Sequence, residues 1–331
     1  MKTLYYGVAG EGRGHAARAL GLIEHLHQRH RVVVYSYGQA LSLLKTACAA
    51  LDVEVRTLPP LEFSYNSRRT LSYSRTFFRN VGYLKDLSDI FSRIEGEMNR
   101  TPPDLIISDF EPVLPRVGRR LDVPFLSLDH QHFLLACDVS ELPVDLRQHT
   151  LWMRTFVRLF CPEGPTETVI SSFFRYRTRP RYAFAKQVGV MMRKHILEVR
   201  PEDRGHLVAY VRRPDTVDLV PHLHALNHPV RVYGLGAQPR FGNVEFREIH
   251  PTRFLEDLAT ASALVTTAGN QLVGEALYLE KPVFAVPEPN NREQDINAHF
   301  VRTMSVGESS SASEVSGARL SSFMDKLPFY R

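Results

Sequence analysis

In the N-terminal part of the chain, short and continuously apolar runs alternate with an amphipathic segment. Leu20, Ile23 and Leu26 recur at the spacing of one helix face, which predicts a helix over Ala16 to Gln28. Runs that are apolar throughout are typical of strands buried on both faces of a parallel sheet. The pattern therefore predicts alternating strands and helices, with strands at Thr3 to Val8, Arg31 to Tyr35, Pro103 to Asp109 and Val123 to Asp129.

The same alternation restarts after a middle section that lacks it, from about Val139 to Glu202. We place the domain junction near Arg200 to Gly205, with a first domain over residues 1–200 and a second over residues 201–331. The small polar residues of Ser309 to Ala318 predict a loop. The second sheet is predicted to have strands at His206 to Val211, Val230 to Gly236, Asn243 to Ile249, Ala263 to Gly269 and Pro282 to Pro287, with a helix at Arg253 to Ala261.

The predicted fold class is α/β, with two Rossmann-like parallel-sheet domains that face a central cleft. Ligands of open α/β sheets bind outside the carboxyl ends of the strands. The residues that carry function are therefore expected directly after strands, where loops of both domains would open onto the cleft.

The composition is that of a globular protein with a sizeable core. The chain has 331 residues and 44% hydrophobic content, which is enough for two domains. No apolar run approaches the roughly 18 residues that a membrane span needs, and the N-terminus lacks the apolar core of a signal peptide. A cytoplasmic location is expected. The cysteines Cys48, Cys137 and Cys161 stand singly, which favours buried thiols over a disulfide framework or a zinc site.

The charge predicts an anionic partner without naming it. A net charge of +5 and a pI near 9.1 suit nucleotide sugars, anionic lipids or nucleic acid. Arginines alternate with aromatic residues in Arg68 to Lys85 and in Phe173 to Lys186, a mixture that suits an anionic membrane surface. The alternative is a solvated face whose aromatic rings belong to the core, since neither stretch has a clean amphipathic period.

A glycine-rich loop, GVAGEGRGHAAR, follows the first strand and opens the first helix. Backbone N–H groups at such a position suit a phosphate. The spacing of Gly10, Gly12, Arg13 and Gly14 does not match the dinucleotide fingerprint, and the second strand ends without the acidic residue that holds a ribose. The Gly-Lys-Ser/Thr ending of a P-loop is also missing. A nicotinamide enzyme and an ATPase are both poorly supported.

His15 ends this loop and is the candidate general base. An imidazole can take a proton near neutral pH when a carboxylate holds its other nitrogen, and Asp109 ends a strand at the same edge of the predicted sheet. The alternative is that His15 only caps or packs the loop. Glu111, His130 and His132 lie near the same edge and are candidates for an acceptor pocket, with local capping as their alternative.

The segment TTAGNQLVGEALYLEKPVFAVPEPNNREQDINAHF combines groups that suit a nucleotide sugar. A turn after a strand and before a helix presents N–H groups to phosphate, while Glu275 in the helix can take ribose hydroxyls. A carboxylate beside an amide suits vicinal sugar hydroxyls. The candidate donor-binding residues are Thr267, Ala268, Gly269, Asn270, Gln271, Glu275, Glu293 and Gln294.

This segment resembles the donor-binding signature of the MurG-like and UDP-glycosyltransferase superfamily, with Gly269, Glu275, Pro282, Glu293-Gln294 and Asn297-Ala298 at its motif positions. The strings GEGRGH and PDLIISDFEP are similar to the glycine loop and the aspartate strand of the same superfamily. The resemblance implies a GT-B fold, an inverting mechanism and no metal. The DFEP and EALYLxKP strings are similar to those of a group of bacterial and archaeal glycosyltransferases. Two departures are Thr267, where plant enzymes have histidine, and Glu280, where glycine is usual.

The sequence thus predicts an inverting, metal-independent hexosyltransferase that moves a sugar from a nucleotide donor, with UDP favoured, to an acceptor hydroxyl. The acceptor would be a small molecule or a membrane lipid, with the protein in the cytoplasm or peripheral at the inner face of the membrane. No further cofactor and no nucleic-acid partner are expected, and the chain has no Asp-x-Asp metal pair. The alternatives are a UDP-sugar 2-epimerase and a catalytically silent protein that binds nucleotide sugars.

Overall fold

The computed structural model describes residues 1–60, 81–162, 166–211 and 218–331. The described chain forms two compact units, one of residues up to 193 and the other of residues from 194 on. Within the described residues, no helix combines the length and the apolar character that crossing a membrane requires. The predicted α/β class with two parallel-sheet domains is confirmed.

The first unit contains a seven-stranded sheet in which every neighbouring pair is parallel. The strand order is β3-β2-β1-β4-β5-β6-β7. Residues of β1 point alternately to two separate cores: Leu4 and Tyr6 to one, Tyr5 to the other. The strands are β1 (Thr3–Val8), β2 (Arg31–Ser36), β3 (Glu54–Thr57), β4 (Leu105–Asp109), β5 (Phe125–Asp129), β6 (Glu167–Ser171) and β7 (Lys186–Val188).

Helices cover this sheet because its strands are apolar on both faces. Ala16, Ala19 and Ile23 form the buried side of α1 and pack on one face. Ile90, Ile94 and Met98 of α3 pack on the other. The helices are α1 (Arg13–Leu26), α2 (Gly38–Ala49), α3 (Val81–Arg100), α4 (Val113–Arg120), α5 (Phe133–Ala136) and α6 (Val144–Phe160), with 3-10 turns at Val139–Glu141 and Pro180–Tyr182.

Two features of the first unit differ from the sequence prediction. The middle section contributes β6 and β7 to the first sheet, although it lacked a visible alternation. These strands are short and partly exposed, and β7 is the edge strand with the residues KQV, so neither has the continuous apolar run of a central strand. Helix α1 begins at Arg13 rather than Ala16, which brings His15 into its first turn.

The second unit contains a six-stranded parallel sheet in the order β10-β9-β8-β11-β12-β13. Its main core includes Leu207, Val232, Val265 and Phe284, one from each of four adjacent strands. The strands are β8 (Leu207–Tyr210), β9 (Val230–Tyr233), β10 (Val244–Arg247), β11 (Ala263–Thr266), β12 (Val283–Ala285) and β13 (Gly307–Ser309).

The end of the second unit is more regular than predicted. Strand β13 ends at Ser309 and a helix begins at Gly317, so the loop predicted over Ser309 to Ala318 is shorter than expected. Ser316 caps that helix with its hydroxyl, which accepts from the N–H of Arg319. The helices are α7 (Lys194–Glu198), α8 (Val220–His224), α9 (Pro251–Ala259), α10 (Asn270–Tyr278), α11 (Arg292–Thr303), α12 (Gly317–Asp325) and α13 (Leu327–Tyr330).

Both sheets reverse their strand order at one point, and this positions the candidate residues. In the first sheet β1 lies between β2 and β4, and in the second β8 lies between β9 and β11. Loops on the two sides of such a switch point diverge and leave a crevice at the carboxyl ends of the strands. His15 lies just after β1, and Asp109 is the last residue of β4. In the second unit, the turn before α10 follows β11.

Candidate functional site

In the glycine loop of the first unit, two positions require glycine for different structural reasons. Gly12 is the residue before α1 and has a φ of 74°, a left-handed conformation that favours glycine. Gly10 packs so closely against Tyr37 that an added Cβ would come within 2.4 Å of the Tyr37 carbonyl oxygen. Arg13 and Gly14 are exposed at the start of α1. The residue before this helix, Gly12, has no side chain that could cap its first N–H groups, and N–H groups at such a position suit an anion.

His15 and Asp109 are in direct contact. Nδ1 of His15 lies 2.8 Å from Oδ1 of Asp109. The two are brought together because Val8 of β1 and Asp109 of β4 are register partners, and the N–H of Ala9 donates to the Asp109 carbonyl at 3.0 Å. With Nδ1 donating to the carboxylate, Nε2 of His15 would be the nitrogen that accepts a proton.

Asp109 is also held by Arg18, a residue that the sequence prediction missed. The guanidinium of Arg18 donates from Nε to Oδ2 at 2.8 Å and from Nη2 to Oδ1 at 2.6 Å. Burial alone would raise the pKa of the Asp109 carboxyl, but Arg18 and His15 hold that pKa below its usual value. Asp109 is fully buried and Arg18 is only 3% exposed. The carboxylate is therefore an ionised group with two fixed partners.

Phe110, next to Asp109, has an unusual backbone. Its φ is 54°, in the left-handed region that a bulky residue rarely adopts. Its ring stacks on Phe160 at a centroid distance of 5.0 Å and lies nearly parallel to the His15 ring at 6.4 Å. Backbone strain of this kind persists where the surroundings fix it, and it clusters at functional sites. Phe110 thus forms one wall beside the His15 imidazole.

Glu111 caps a helix from a buried position. Its two carboxyl oxygens accept the N–H groups of Val113 at 2.6 Å and Leu114 at 2.9 Å, at the start of α4. Burial raises the pKa of this carboxyl to about 7, although the two N–H donors and the nearby Arg116 act in the opposite direction. This geometry is the local capping that the sequence left open as the alternative, and a role in acceptor binding stays a prediction.

His132 forms a second histidine–aspartate pair. Asp129 ends β5, next to β4, and its Oδ2 lies 2.6 Å from Nδ1 of His132 while its Oδ1 accepts the His132 N–H at 2.7 Å. Although burial opposes it, His132 helps to lower the pKa of Asp129 to about 2. His132 is buried, with 5% exposure, and its ring orientation is fixed by this carboxylate.

Asp129, His132 and Cys161 are the one group of three metal-binding side chains among the described residues, with donor atoms within 4.8 Å of one another. Two ligands of one tetrahedral zinc ion, each about 2.1 Å from the metal, lie roughly 3.4 Å apart. The 2.6 Å between His132 and Asp129 is shorter and is a hydrogen-bond distance. Burial also raises the pKa of the Cys161 thiol well above its usual value. The arrangement fits a hydrogen-bonded pair with a buried thiol.

His130 is packed among aromatic rings. It stacks on Phe133 at 4.9 Å and meets the edge of Phe174 at 5.7 Å. Phe174 belongs to the basic stretch from Phe173 to Lys186 and is buried, so one ring of that stretch belongs to the core, whereas Phe184 is 57% exposed. The other basic stretch, Arg68 to Lys85, lies outside the described residues except for the start of α3.

The donor-segment turn has its strained residue one position before the glycine. Ala268 has a φ of 62°, whereas Gly269 has ordinary extended angles of −67° and 130°. A methyl group added at Gly269 would meet no atom of the described residues within 4 Å. Among the described residues, therefore, neither the backbone angles nor packing requires glycine at this position. Thr267 precedes Ala268 and is buried.

Helix α10 begins directly after Gly269, which has no side chain that could cap its first N–H groups. The side-chain amide of Gln271, in the first turn, donates to Oε1 of Glu275 one turn further on, at 2.9 Å. Both side chains are buried, as is Asn270 at the first helical position. Gln271 in the first turn of α10 thus orients the carboxylate of Glu275 in the second turn.

Helix α11 holds the turn and the neighbouring loop in place. Asn297, which is fully buried, donates to the Ala268 carbonyl at 2.9 Å. One turn earlier, Oε1 of Gln294 accepts the N–H of Glu288 at 2.7 Å. The sequence placed Glu293 and Gln294 on a loop, but they form the first turn of α11. The amide of Gln294 therefore positions backbone as well as standing at a motif position.

Comparison with known proteins decides the family. Residues 1–328 match the family described as Glycosyl transferase family 1. The chain belongs to this family. No curated protein matches it in sequence.

Solved glycosyltransferases share its fold at low sequence identity. Arabidopsis thaliana UGT89C1 complexed with UDP-L-rhamnose is 16% identical, with a TM-score of 0.66 over 99% of this chain and 91% of that one. MurG of Acinetobacter baumannii is 16% identical, with a TM-score of 0.61 over 99% and 91%. SsfS6 of Streptomyces sp. SF2575, complexed with thymidine diphosphate, is 13% identical, with a TM-score of 0.59 over 100% and 95%. The resemblance to GT-B glycosyltransferases is confirmed.

This glycosyltransferase carries three residues that the sequence prediction did not assign to the site: Arg18, Phe110 and Asn297. Arg18 lies three residues after His15, the spacing of neighbours on one helix face, and this signal was available. Phe110 contributes through a backbone angle, which the pattern of residue types does not reveal. Asn297 contacts a backbone carbonyl, and it stood at a motif position of the donor signature without an assigned role.

Proposed function

We propose that this glycosyltransferase moves a hexosyl group from a UDP-linked donor to an acceptor hydroxyl, with inversion at the anomeric carbon and without a metal ion. The observation that carries the proposal is the contact between His15 and Asp109 at the switch point of the first sheet. A histidine oriented by an ionised carboxylate is the arrangement of a general base for a hydroxyl nucleophile.

In the proposed step, Nε2 of His15 takes the proton of the acceptor hydroxyl while its oxygen bonds to the anomeric carbon. The bond from that carbon to the diphosphate oxygen breaks, and the diphosphate leaves with the electron pair. Asp109 holds Nδ1–H and balances the positive charge that develops on the ring. General-base assistance of this kind contributes about 10²- to 10⁴-fold to the rate.

The turn before α10 is the proposed site of the diphosphate. The first N–H groups of that helix have no intrahelical acceptor, and Gly269 leaves room for phosphate oxygens to approach them. The positive end of the helix opposes the negative charge that grows on the leaving group. Asn297 supports this role by fixing the carbonyl of Ala268, which keeps the turn in its strained shape before the donor binds.

Glu275 is the proposed ligand of the ribose hydroxyls, and Gln271 orients its carboxylate through their hydrogen bond. Glu293 and Gln294 are proposed to meet the hexose, as the family motif suggests. Thr267 contributes its hydroxyl and backbone near the phosphates. His130, His132 and Glu111 are proposed to line the acceptor pocket. The proposed acceptor is a small molecule or a lipid at the membrane surface.

The nucleotide is proposed to be UDP because the donor motif resembles that of UDP-glycosyltransferases, and one structural relative is complexed with UDP-L-rhamnose. The relative complexed with thymidine diphosphate makes TDP the first competitor to test. A thermal-shift series with UDP, TDP, GDP and CDP measures this choice, since a bound ligand stabilises by RT ln(1+[L]/Kd). Stabilisation by TDP alone would overturn the UDP assignment.

Activity is tested by incubating the protein with UDP-glucose and UDP-N-acetylglucosamine together with a panel of hydroxyl acceptors. We expect free UDP and a β-linked product from an α-linked donor. A 2-epimerase would instead convert the donor sugar without transferring it. A silent binding protein would be stabilised by the nucleotide sugar but would release no UDP with any acceptor.

A further inference from the structure

Glu288 is a buried acidic residue at the edge of the second sheet that carries the proposed donor site. It lies two residues beyond Val286, whose N–H donates to the carbonyl of Thr266 at 2.8 Å. Thr266 ends β11 and directly precedes the turn of Thr267 and Ala268. The two segments therefore leave adjacent strands side by side, and Glu288 belongs to the same strand-end region as the proposed diphosphate site.

The side chain of Glu288 has an oxygen without a partner. Glu288 is 6% exposed, and its Oε1 has no hydrogen-bond donor within reach in the part of the chain that the structure describes. The Thr266 Oγ1, one strand over, is likewise buried without a partner among the described residues. A buried polar oxygen without a hydrogen bond costs free energy, which a bound ligand would return by donating to it.

The backbone of Glu288 cannot easily move to relieve this burial. Its N–H donates to Oε1 of Gln294 at 2.7 Å, and its carbonyl accepts the N–H of Asn291 at 3.0 Å. Pro287 and Pro289 flank it, and each has a restricted φ. The segment is thus fixed from both sides, and it contains one carboxyl oxygen, Oε1 of Glu288, that no donor of the described residues satisfies.

We propose that Glu288 is a specificity-determining residue for the donor, whose buried carboxyl oxygen accepts a hydrogen bond from a hydroxyl of the transferred hexose. The inference rests on the proposed donor site. A carboxylate accepts and does not donate, so it selects sugars that present a hydroxyl at this point over deoxy sugars, which leave it buried and unsatisfied. A nucleoside diphosphate without the transferred hexose would not contact this oxygen.

The test measures the affinities of UDP and UDP-glucose by calorimetry for the wild type, Glu288→Gln and Glu288→Met. Glutamine keeps one acceptor oxygen at the same length, while methionine keeps the approximate shape and removes acceptance. Glu280→Met is the matched control, because Glu280 lies in the same segment with an exposed side chain. We expect Glu288→Met to weaken UDP-glucose about 10-fold or more, with UDP unchanged within about 2-fold and a smaller loss in Glu288→Gln.

The outcomes separate this inference from the proposed function. If both Glu288 variants bind UDP-glucose as the wild type does, Glu288 does not read the sugar, and the donor site stands. If they lose UDP and UDP-glucose equally and unfold at lower urea, Glu288 is structural and the inference is overturned. If the wild type binds neither ligand nor their TDP counterparts, the proposed function itself fails and the inference with it.

Discussion

Arg18 and His15 contact the same oxygen, Oδ1 of Asp109, at 2.6 Å and 2.8 Å. Nη2 of Arg18 also lies 3.0 Å from Nδ1 of His15. The nearby ionised carboxylate is the stronger acceptor, and Arg18 already donates twice to it, so the arrangement favours a proton on Nδ1 that points to Asp109. The carboxylate therefore has two contacts to serve, as the counter-charge of a buried arginine and as the group that orients the His15 ring.

This double role changes what an Asp109 variant reports. Asp109→Asn should lower the free energy of unfolding by about 3 to 5 kcal/mol, because Arg18 would remain buried without its counter-charge. The double variant Asp109→Asn with Arg18→Met should recover most of that stability but not the activity. Urea unfolding and turnover of both variants measure this. Equal stability of the two variants would show that the ion pair between Arg18 and Asp109 does not hold the fold.

The proposed role of His15 as general base is tested separately. His15→Ala should reduce kcat by roughly 10²-fold or more with little change in donor affinity, because the proton moves only in the transition state. The acidic limb of the pH–rate profile should disappear in the same variant. If His15 only packs the loop, the variant would instead unfold more easily and turn over normally at saturation. The matched control is His132→Asn, which removes the imidazole of the other histidine–aspartate pair and should leave that acidic limb in place.

Glu111 gives the first unit a pH-dependent stability of defined sign. Its pKa is raised from 4.5 to about 7 by burial, so the folded state holds a proton that the unfolded chain has already lost in that range. The stabilisation is complete below pH 4.5 and is lost as pH rises through 7. At about 1.4 kcal/mol per pKa unit, the loss amounts to about 3 kcal/mol.

Glu111→Gln mimics the protonated carboxyl and should remove this slope. Urea unfolding at pH 4.5, 6 and 8 should show a decline in the wild type that is largely absent from the variant. The lowered pKa of Asp129, about 2, acts in another window, because its contribution is lost only as pH falls below 3.8. A parallel decline in wild type and variant between pH 4.5 and 8 would mean that Glu111 is ionised throughout.

The sequence predicted the strands of both sheets that carry the site, because buried parallel strands are continuous apolar runs. It also brought His15 and Asp109 to one sheet edge, since the carboxyl ends of parallel strands meet there. It could not show β6 or the short edge strands β3, β7 and β13, whose apolar runs are too brief, and so it missed part of both sheets. The left-handed backbone of Ala268 and Phe110 was also invisible, because neither residue type signals a positive φ.

Metal independence is predicted from the proposed chemistry of the second unit. The positive end of α10 and its first N–H groups would take the role that a divalent cation has in other transferases. Activity should therefore persist in excess EDTA and should change little when Mg²⁺ or Mn²⁺ is added. Release of UDP, followed with and without chelator on the same preparation, measures this. Complete loss in EDTA that Mn²⁺ restores would contradict the proposed role of the helix.

The diphosphate site is tested most sharply at Gly269. Its φ of −67° and ψ of 130° suit alanine, and an added methyl would meet no described atom within 4 Å. Alanine before a helix is less favoured than glycine, but it also reduces the entropy of the unfolded chain, so the two effects nearly cancel. Gly269→Ala should therefore unfold within about 1 kcal/mol of the wild type.

In the proposed diphosphate site, the same methyl group would stand where phosphate oxygens approach the N–H groups of α10. We expect Gly269→Ala to weaken UDP about 10-fold or more, since a phosphate held by several N–H groups would lose some of them. Gly96→Ala in α3 is the matched control: it too adds a methyl in open space, and it should raise stability without changing UDP affinity. Titration of UDP into the three proteins decides the matter, because wild-type affinity in Gly269→Ala would place the phosphates away from this turn.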